Sequence, residues 1–436
     1  MRRSSSDNGS ITESSPASSP ESAWRYRGWY IVGIALLANM LVTGATHSSF
    51  GLFVLPVSDE YQLSRANINT AMILLSFGTA VLAPILGRML DKFPPARIML
   101  ACAVLFGASF ICLGGVRSVP LSALVVTVML AVGVQGSGSL TTTVLIARWF
   151  SAQRGRAMAI ALMGMSLGTL VVPPLVGLSI DRYGWRETLL LMGGVGGTLL
   201  ASLALVVGAL HAPSRTQGSP SKTAATAKAS LLSVTAILRM AHFWLLAVSA
   251  ALALGIAQTL MITLVPLAQQ ANLTTLQATT LLSITGAAAF GTKILLAVIG
   301  DRVDRVLLLS AVFLCGALLN AALLLSDSYM LLAACAVALG VQIGGLAPVF
   351  FALLADRFGA ASFGTVRGLA VPITGIVGAI SVRLAGEVFD RTGSYDVLFV
   401  SFIAAEIAAA ILMFATRIVP PPAHLQRRPV GGANVA

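Results

Sequence analysis

The chain has 436 residues, of which 57% are hydrophobic and only 10% are charged, whereas an ordinary soluble domain carries about 25% charged residues. This composition excludes a water-soluble globular protein, because too few polar side chains are present to cover its surface. The net charge of +12 does not indicate nucleic-acid binding, since the basic residues are scattered singly through short hydrophilic stretches and form no basic face.

Apolar segments long enough to cross a hydrocarbon core of about 30 Å recur along the whole chain. Twelve of them are predicted to be transmembrane helices, at residues 29–53, 67–87, 98–116, 121–147, 157–179, 187–210, 242–265, 277–300, 306–325, 330–354, 367–386 and 396–416. The sequence therefore predicts an all-α membrane protein.

Polar stretches divide the chain into two groups of six helices. Residues 1–28 and 417–436 are predicted to be cytoplasmic tails, the first of them disordered because it is rich in serine and poor in apolar residues. Residues 212–238 form a polar linker, which separates a six-helix bundle at 29–211 from a second one at 239–416.

The distribution of basic residues predicts the orientation of the chain. The tails and the loops on their side of the membrane contain 21 Lys and Arg residues, and the opposite loops contain five. By the positive-inside rule, both termini are predicted to lie in the cytoplasm. We expect a multi-pass protein of the cytoplasmic (inner or plasma) membrane.

The two halves resemble each other in sequence. Three motifs recur at equivalent places with offsets of 207 to 210 residues: GVQ at 133–135 and 340–342, an Asp followed by a cation at 91–92 and 301–302, and DRYG at 181–184 against DRTG at 390–393. Parallel repeats predict two pseudo-symmetric bundles with a binding site between them near the membrane midplane, reached alternately from each side.

The loop after helix 2 carries the motif GRMLDK at 87–92, followed by Arg97. This motif resembles the cytoplasmic signature of the major facilitator superfamily, and the second half carries a degraded copy at 297–302. The resemblance implies the major facilitator fold and a conformational gate formed by Gly87, Asp91, Lys92, Arg97, Asp301 and Arg302. The alternative is that these residues only satisfy the positive-inside rule.

Further segments resemble the monocarboxylate porter and oxalate:formate antiporter branch of that superfamily: GWY at 28–30, SFG at 49–51, RWF at 148–150, RGR at 154–156 and YGWR at 183–186. The resemblance covers nearly all of residues 28–416. In that branch a cation in helix 8, eight residues before the loop aspartate, contacts the substrate carboxylate. The matching residue is Lys293.

The predicted depth of Lys293 agrees with such a role. It lies roughly 10 Å from the nearer end of helix 8, close to the midplane. A cation at this depth costs at least about 2.5 kcal/mol and faces a cavity or a partner. An anionic substrate would compensate its charge, and a structural ion pair with Glu406 is the alternative.

Other polar residues within the spans are secondary candidates. Gln135 and Gln342 lie on helices that line the central cavity in the superfamily, so their amides could hydrogen-bond a substrate carboxylate. The alternative is that they only form hydrogen bonds between helices. Glu406, near the midplane of helix 12, and His47, near the outer end of helix 1, are candidates for proton coupling. The alternatives are a structural or protonated Glu406 and a His47 that only packs.

Arg383 occupies helix 11, where oxalate-type members are expected to hold a second carboxylate. Its predicted position is close to the outer face, and Glu387 follows at i+4, where it can pair with it. We expect an outer-rim ion pair, and contact of Arg383 with substrate is the alternative. A single central cation favours a monocarboxylate over a dicarboxylate.

These features predict a secondary transporter that moves a small organic anion by alternating access, with proton symport or anion exchange. The predicted partners are the anion, a proton or counter-anion, and the lipid bilayer, and the protein is expected to act as a monomer without cofactor, metal or catalytic residues. A multidrug exporter of the same fold and a non-transporting receptor are the alternatives.

Overall fold

A computed structural model of the chain describes residues 27–62, 65–210, 232–271, 273, 275–325 and 328–419. Within them, twelve helices are long and apolar enough to cross a membrane. They are α1 Gly28–Tyr61, α2 Arg65–Lys92, α3 Pro95–Gly115, α4 Val119–Trp149, α5 Arg154–Tyr183, α6 Trp185–Ala209, α7 Ala241–Gln270, α8 Thr275–Ile299, α9 Arg305–Leu323, α10 Tyr329–Phe358, α11 Phe363–Thr392 and α12 Asp396–Ala415. The predicted all-α class and the twelve spans are confirmed.

Most of the predicted tails and of the predicted linker lies outside the described residues. The described end of the linker forms a short helix, Val234–Arg239, whose Ile237 is fully buried. We call the face of the bundle at which α1 begins and α12 ends the tail face, and the opposite face the far face.

Several helices are longer than their apolar segments. Helix α1 continues to Tyr61 and α2 to Lys92, and α11 already begins at Phe363. Hydropathy detects only the part of a helix that lies in hydrocarbon. A helix continues into water until a residue such as Pro94, which follows α2, stops it.

The first half contains three wide π-helical turns, at Gly44–Ser48 in α1, Val125–Leu130 in α4 and Met192–Gly196 in α6. Helix α4 is also interrupted at Gly138, whose φ of −97° and ψ of −138° lie outside the helical region. In the described part of the second half, α7 to α12 are each a single α-helix. The two halves therefore differ in backbone geometry although they repeat in sequence.

Each half packs as its own bundle, with α1 against α5 and α3 against α6 in the first, and α8 against α10 and α9 against α12 in the second. The main contacts between halves are α2 with α11 and α5 with α8. Small residues allow close packing within the halves, since a Cβ on Gly164 would overlap the carbonyl oxygen of Leu36, and one on Gly340 that of Thr285.

We predict that Gly164→Ala destabilises the protein by about 1–3 kcal/mol, because the added methyl group forces α5 away from α1. The matched control is Gly177→Ala on the same helix, where a Cβ would meet no atom within 4 Å. That control should be neutral or stabilising by up to about 1 kcal/mol, since alanine favours helix. Thermal denaturation in detergent measures both, and equal melting temperatures for the two variants would contradict the close packing.

Candidate functional site

Helices α2 and α11, one from each half, cross in direct backbone contact near the tail face. A Cβ atom on Gly87 would overlap the carbonyl oxygen of Gly364, and a Cβ atom on Gly368 would lie 2.5 Å from the carbonyl oxygen of Ala83. Only glycine permits so close an approach at these positions. Gly87, which the sequence indicated as a gate residue, thus lies at the contact between the halves.

The side chain of Asp91, at the end of α2, caps the first turn of α11. Its carboxylate accepts hydrogen bonds from the backbone N–H groups of Gly364, at 2.9 Å, and Thr365, at 2.6 Å. These N–H groups have no partner inside their own helix, and the helix start carries a partial positive charge. Asp91 therefore attaches the first half to the second through a charge-assisted cap.

Asp301 makes the reciprocal contact from the second half to the first. Its carboxylate accepts hydrogen bonds from the N–H groups of Gly155, at 2.7 Å, and Arg156, at 3.1 Å, at the start of α5. The two aspartates are 210 residues apart, and Gly155 and Gly364 are 209 apart, which are the offsets of the internal repeat. The tail face is therefore closed by a pair of pseudo-symmetric caps.

A cluster of four charged residues reinforces the Asp301 cap. Arg154 on α5 pairs with Asp356 on α10, and Arg305 on α9 pairs with both Asp356 and, at 3.2 Å, Asp301. The Arg154 side chain is only 8% exposed, and a charge buried to this extent needs such partners. Sequence reasoning missed the pairing because α5 and α10 meet only in the folded protein.

Arg367 on α11 is a further connection between the halves, and the sequence assigned it no role. Its guanidinium donates to the backbone carbonyl of Ser139 and the hydroxyl of Thr143 on α4, and lies 4.0 Å from the centre of the Phe351 ring. It is buried, and no carboxylate lies within 4 Å of it in the part of the chain that the structure describes. The signal in the sequence that could have identified Arg367 is its position as a basic residue at the end of a predicted transmembrane helix.

The other three predicted gate residues do not bridge the halves. Lys92, Arg97 and Arg302 are exposed, and none of them has an ion-pair partner among the described residues. The cation that does bridge the halves is Arg154, through Asp356, and a role of Lys92, Arg97 and Arg302 in the gate stays a prediction. Exposed cations remain hydrated, and a surface ion pair would contribute only about 0–1 kcal/mol.

Lys293 lies at the interface between α8 and α5, the second major contact between the halves. Its side chain is 8% exposed, and its Nζ donates to Ser166 Oγ at 2.8 Å. It is six residues from the end of α8 at Ile299, which is about 9 Å along a helix. No carboxylate of the described residues lies within 4 Å of its Nζ, so the alternative ion pair with Glu406 is absent.

Gln342 and Glu406 contact each other inside the second half. The Nε2 of Gln342 donates to Glu406 Oε1 at 2.5 Å, both side chains are buried, and a Cβ on Gly316 of α9 would meet both. Gln342 thus makes the hydrogen bond between helices that was the alternative to substrate binding. Gln135 is half-buried on α4.

The remaining candidates lie apart from Lys293. His47 is exposed in the π-helical turn of α1, with its Nδ1 3.0 Å from the hydroxyl of Thr46. Arg383 is 82% exposed, and its guanidinium lies 3.5 Å from Glu387, which also pairs with Arg391. The structure thus brings the predicted gate aspartates to helix starts of the opposite half, and it gives Lys293 and Gln342 different partners, Ser166 and Glu406.

Twelve spanning helices in two repeated halves, joined by polar contacts at one face and with a buried cation at their interface, are the architecture of a secondary transporter. The family model of the Major Facilitator Superfamily matches residues 34–371. The chain belongs to this superfamily, as the motif after α2 indicated.

Among relatives, the chain is 27% identical over 423 residues to monocarboxylate transporter 13 of Bos taurus, covering 92% of this chain and 90% of that one. It is 28% identical over 180 residues to the oxalate:formate antiporter of Oxalobacter formigenes, covering 41% and 42% of the two chains. The match to an uncharacterized transporter of Bacillus subtilis, YcxA, likewise spans only 40% of that protein.

The fold is also similar to that of a solved transporter. The crystal structure of the human organic anion transporter MFSD10 superposes with a TM-score of 0.67, covering 89% of this chain and 99% of that one at 16% identity. This likeness confirms the arrangement of the twelve helices.

We predict that Asp91→Asn and Asp301→Asn each weaken closure of the tail face by about 1–3 kcal/mol, because a charged hydrogen-bond acceptor is lost. Closure is measured in a cysteine-free background with a single Ala83→Cys, a fully buried position on α2 beside Gly368. An impermeant maleimide added on the tail side should label this cysteine faster in both variants.

Lys92→Gln is the matched control, since Lys92 is adjacent to Asp91 but exposed and without an ion pair in the described chain. Its labelling rate should equal that of the parent protein. Equal rates in the control and both aspartate variants would mean that the caps do not hold the tail face closed.

Proposed function

We propose that this protein transports a small organic anion, a monocarboxylate, across the cytoplasmic membrane by alternating access, with Lys293 as the binding cation. The observation that carries the proposal is the environment of Lys293. Its ammonium group is buried between α8 and α5 and hydrogen-bonded to the neutral Ser166 hydroxyl. Substrate would supply the negative charge that the described surroundings of Lys293 do not.

The position of Lys293 supports a role in transport. It lies where the two halves meet, so a rocking motion of one half against the other changes its surroundings. A buried charge without a counter-ion is unfavourable in a membrane. A carboxylate bound there would lower this penalty, and the Ser166 hydroxyl could donate a second hydrogen bond to it.

A single such cation favours a monocarboxylate. Arg383 is exposed beside Glu387, and the guanidinium of Arg367 is engaged by Ser139 and Thr143 across the tail-face contact. The names of two relatives, a monocarboxylate transporter and an oxalate:formate antiporter, agree with a carboxylate substrate. Gln135, half-buried on α4, is a further candidate contact.

The excess of basic residues on the tail side supports cytoplasmic termini. The tail face is then the cytoplasmic face. With that face closed by the two aspartate caps, the structure corresponds to a state in which substrate would enter from outside.

We predict that Lys293→Ala reduces uptake of labelled monocarboxylates into proteoliposomes by at least about tenfold, since the loss of one charged contact corresponds to 1.5–3 kcal/mol. Lys293→Arg should retain part of the flux because it keeps the charge. The uptake of a panel of monocarboxylates and dicarboxylates, with and without a pH gradient, is measured for both variants.

Arg383→Ala is the matched control, since it removes an exposed cation from α11 and should leave uptake near the wild-type rate. Full uptake in correctly inserted Lys293→Ala would disprove the role of Lys293. Uptake of only neutral or cationic compounds would favour a drug exporter, and binding without flux would favour a receptor.

Proton coupling is assigned to Glu406, with His47 as the second candidate. Three buried oxygens on α9, α10 and α12 have no hydrogen-bond partner among the described residues: Asn320 Oδ1, Gln342 Oε1 and Glu406 Oε2. All three are acceptors when Glu406 is ionised, so a proton on its carboxyl would supply a donor. The surrounding helices are thus suited to a protonated Glu406.

We predict that Glu406→Gln folds normally, because its amide N–H group can replace the proton as donor, but no longer accumulates substrate in response to a pH gradient. Exchange of labelled for unlabelled substrate should remain. Proteoliposome accumulation and exchange are compared with those of His47→Asn. Accumulation at the wild-type level in Glu406→Gln would exclude Glu406 as the coupling residue, and its loss only in His47→Asn would transfer the role.

A further inference from the structure

An apolar cavity of about 320 Å³ lies in the first half, near the far face. It is enclosed by α1, α2, α3, α4 and α6, and neither Lys293 nor Ser166 lines it. Its volume falls in the range of small-molecule sites, about 300–1,000 Å³. The cavity is therefore large enough to bind a ligand and is separate from the proposed anion site.

In the described part of the second half, the space at the corresponding helices is much smaller. The pocket between α7, α9 and α10, which correspond to α1, α3 and α4 in the repeat, has a volume of only about 10 Å³ and is filled by Leu260, Leu264, Leu319, Leu323 and Leu339. The two halves share one fold, so the fold itself does not require the open cavity.

The wide helical turns of the first half border this cavity. The turn Gly44–Ser48 contributes Ala45 and Thr46 to its wall, and the turn Val125–Leu130 contributes Val126 and Leu130. π-Helical turns occur mostly as single turns inside α-helices, and frequently at functional sites. The corresponding helices α7 and α10 contain none. The backbone of α1 and α4 thus departs from a regular α-helix where these helices line the cavity.

The chemistry of the wall selects an apolar ligand. Besides Tyr61 and Trp185, the polar residues among the described lining are Thr46, Thr70 and Ser122, and none of the described lining residues is charged. A charged group placed inside would lose its hydration without a compensating partner. Hydrocarbon, in contrast, would gain dispersion contacts with the aromatic and aliphatic wall.

The far-face end of the cavity is polar. Arg186 donates to Glu60 at 2.7 Å and to the Tyr61 hydroxyl at 3.0 Å, and its guanidinium lies 4.5 Å from the centre of the Trp185 ring. Tyrosine and tryptophan are enriched at the level where membrane meets water. The polar end of a ligand in this cavity would therefore lie beside hydrogen-bonding groups, among which the charges of Arg186 and Glu60 cancel.

We propose that this cavity is a binding site for one hydrocarbon chain of an amphiphile. The chain packs against Phe53, Leu75 and Val126, and the polar end lies beside Tyr61 and Trp185. The chain belongs either to a membrane phospholipid or to a free fatty acid, which share the alkyl chemistry that the wall recognises.

The test uses two photoreactive probes with a diazirine in the acyl chain, a palmitic acid and a phosphatidylcholine, on the full-length protein in nanodiscs. Crosslinked residues are identified by mass spectrometry, in competition with the unlabelled compounds. We expect saturable labelling of cavity residues by at least one probe. Labelling by the fatty acid alone, or by the phospholipid as well, identifies the source of the chain.

Two variants fill the cavity, Ala71→Phe and Ala123→Phe, because both alanines line it. Each should reduce saturable labelling by about tenfold, since the added ring displaces several methylene groups of the ligand. Val128→Phe is the matched control, because Val128 is exposed in the same π-helical turn as Val126 and does not line the cavity. Its labelling should equal that of wild type.

Labelling that does not saturate, or that is as strong on the exposed faces of α1 and α4 as in the cavity, would overturn the proposal. Unchanged labelling in both filled variants, with melting temperatures like wild type, would overturn it as well. Lys293→Ala should leave labelling unchanged, so the result is independent of the anion site.

Discussion

The reciprocal attraction between two aspartates and two helix starts determines how the halves of this transporter sit together. Asp91 caps α11 and Asp301 caps α5, so each carboxylate lies at the positive end of a helix from the opposite half. When the halves separate, these polar groups can form hydrogen bonds with water instead. Separating apolar surfaces would cost more free energy, because water does not replace their contacts. Contacts of this kind are therefore reversible, and Gly87 and Gly364 set how closely the two halves approach.

The charged residues of this membrane protein differ in the groups that they contact. Arg154 and Arg305 share Asp356 near the tail face, and Arg367 is held by oxygens of α4 and by an aromatic ring. Lys293 differs, because its Nζ is buried at the other contact between the halves with a hydroxyl as partner. A charge kept under these conditions is expected where a ligand supplies the compensation.

The halves repeat in sequence and in their caps but differ in their interiors. The first half contains the π-helical turns and an apolar cavity of about 320 Å³. The described helices of the second half contain no π-helical turn, and they enclose a buried Gln342–Glu406 pair beside Gly316. A pseudo-symmetric frame can thus support unlike sites, since the gate depends on helix ends whereas the interiors depend on side chains that vary independently.

Sequence alone determined the twelve helices, their division into six and six, and the position of the gate aspartates. Each span must satisfy its backbone hydrogen bonds internally, so it is visible as a local apolar run, and the repeat marks equivalent loops. Only the tertiary structure decided that Arg154 meets Asp356, that Gln342 turns to Glu406, and that Lys293 meets Ser166. Contacts between helices have no fixed separation along the chain, because they depend on how the helices pack and on where glycine leaves space.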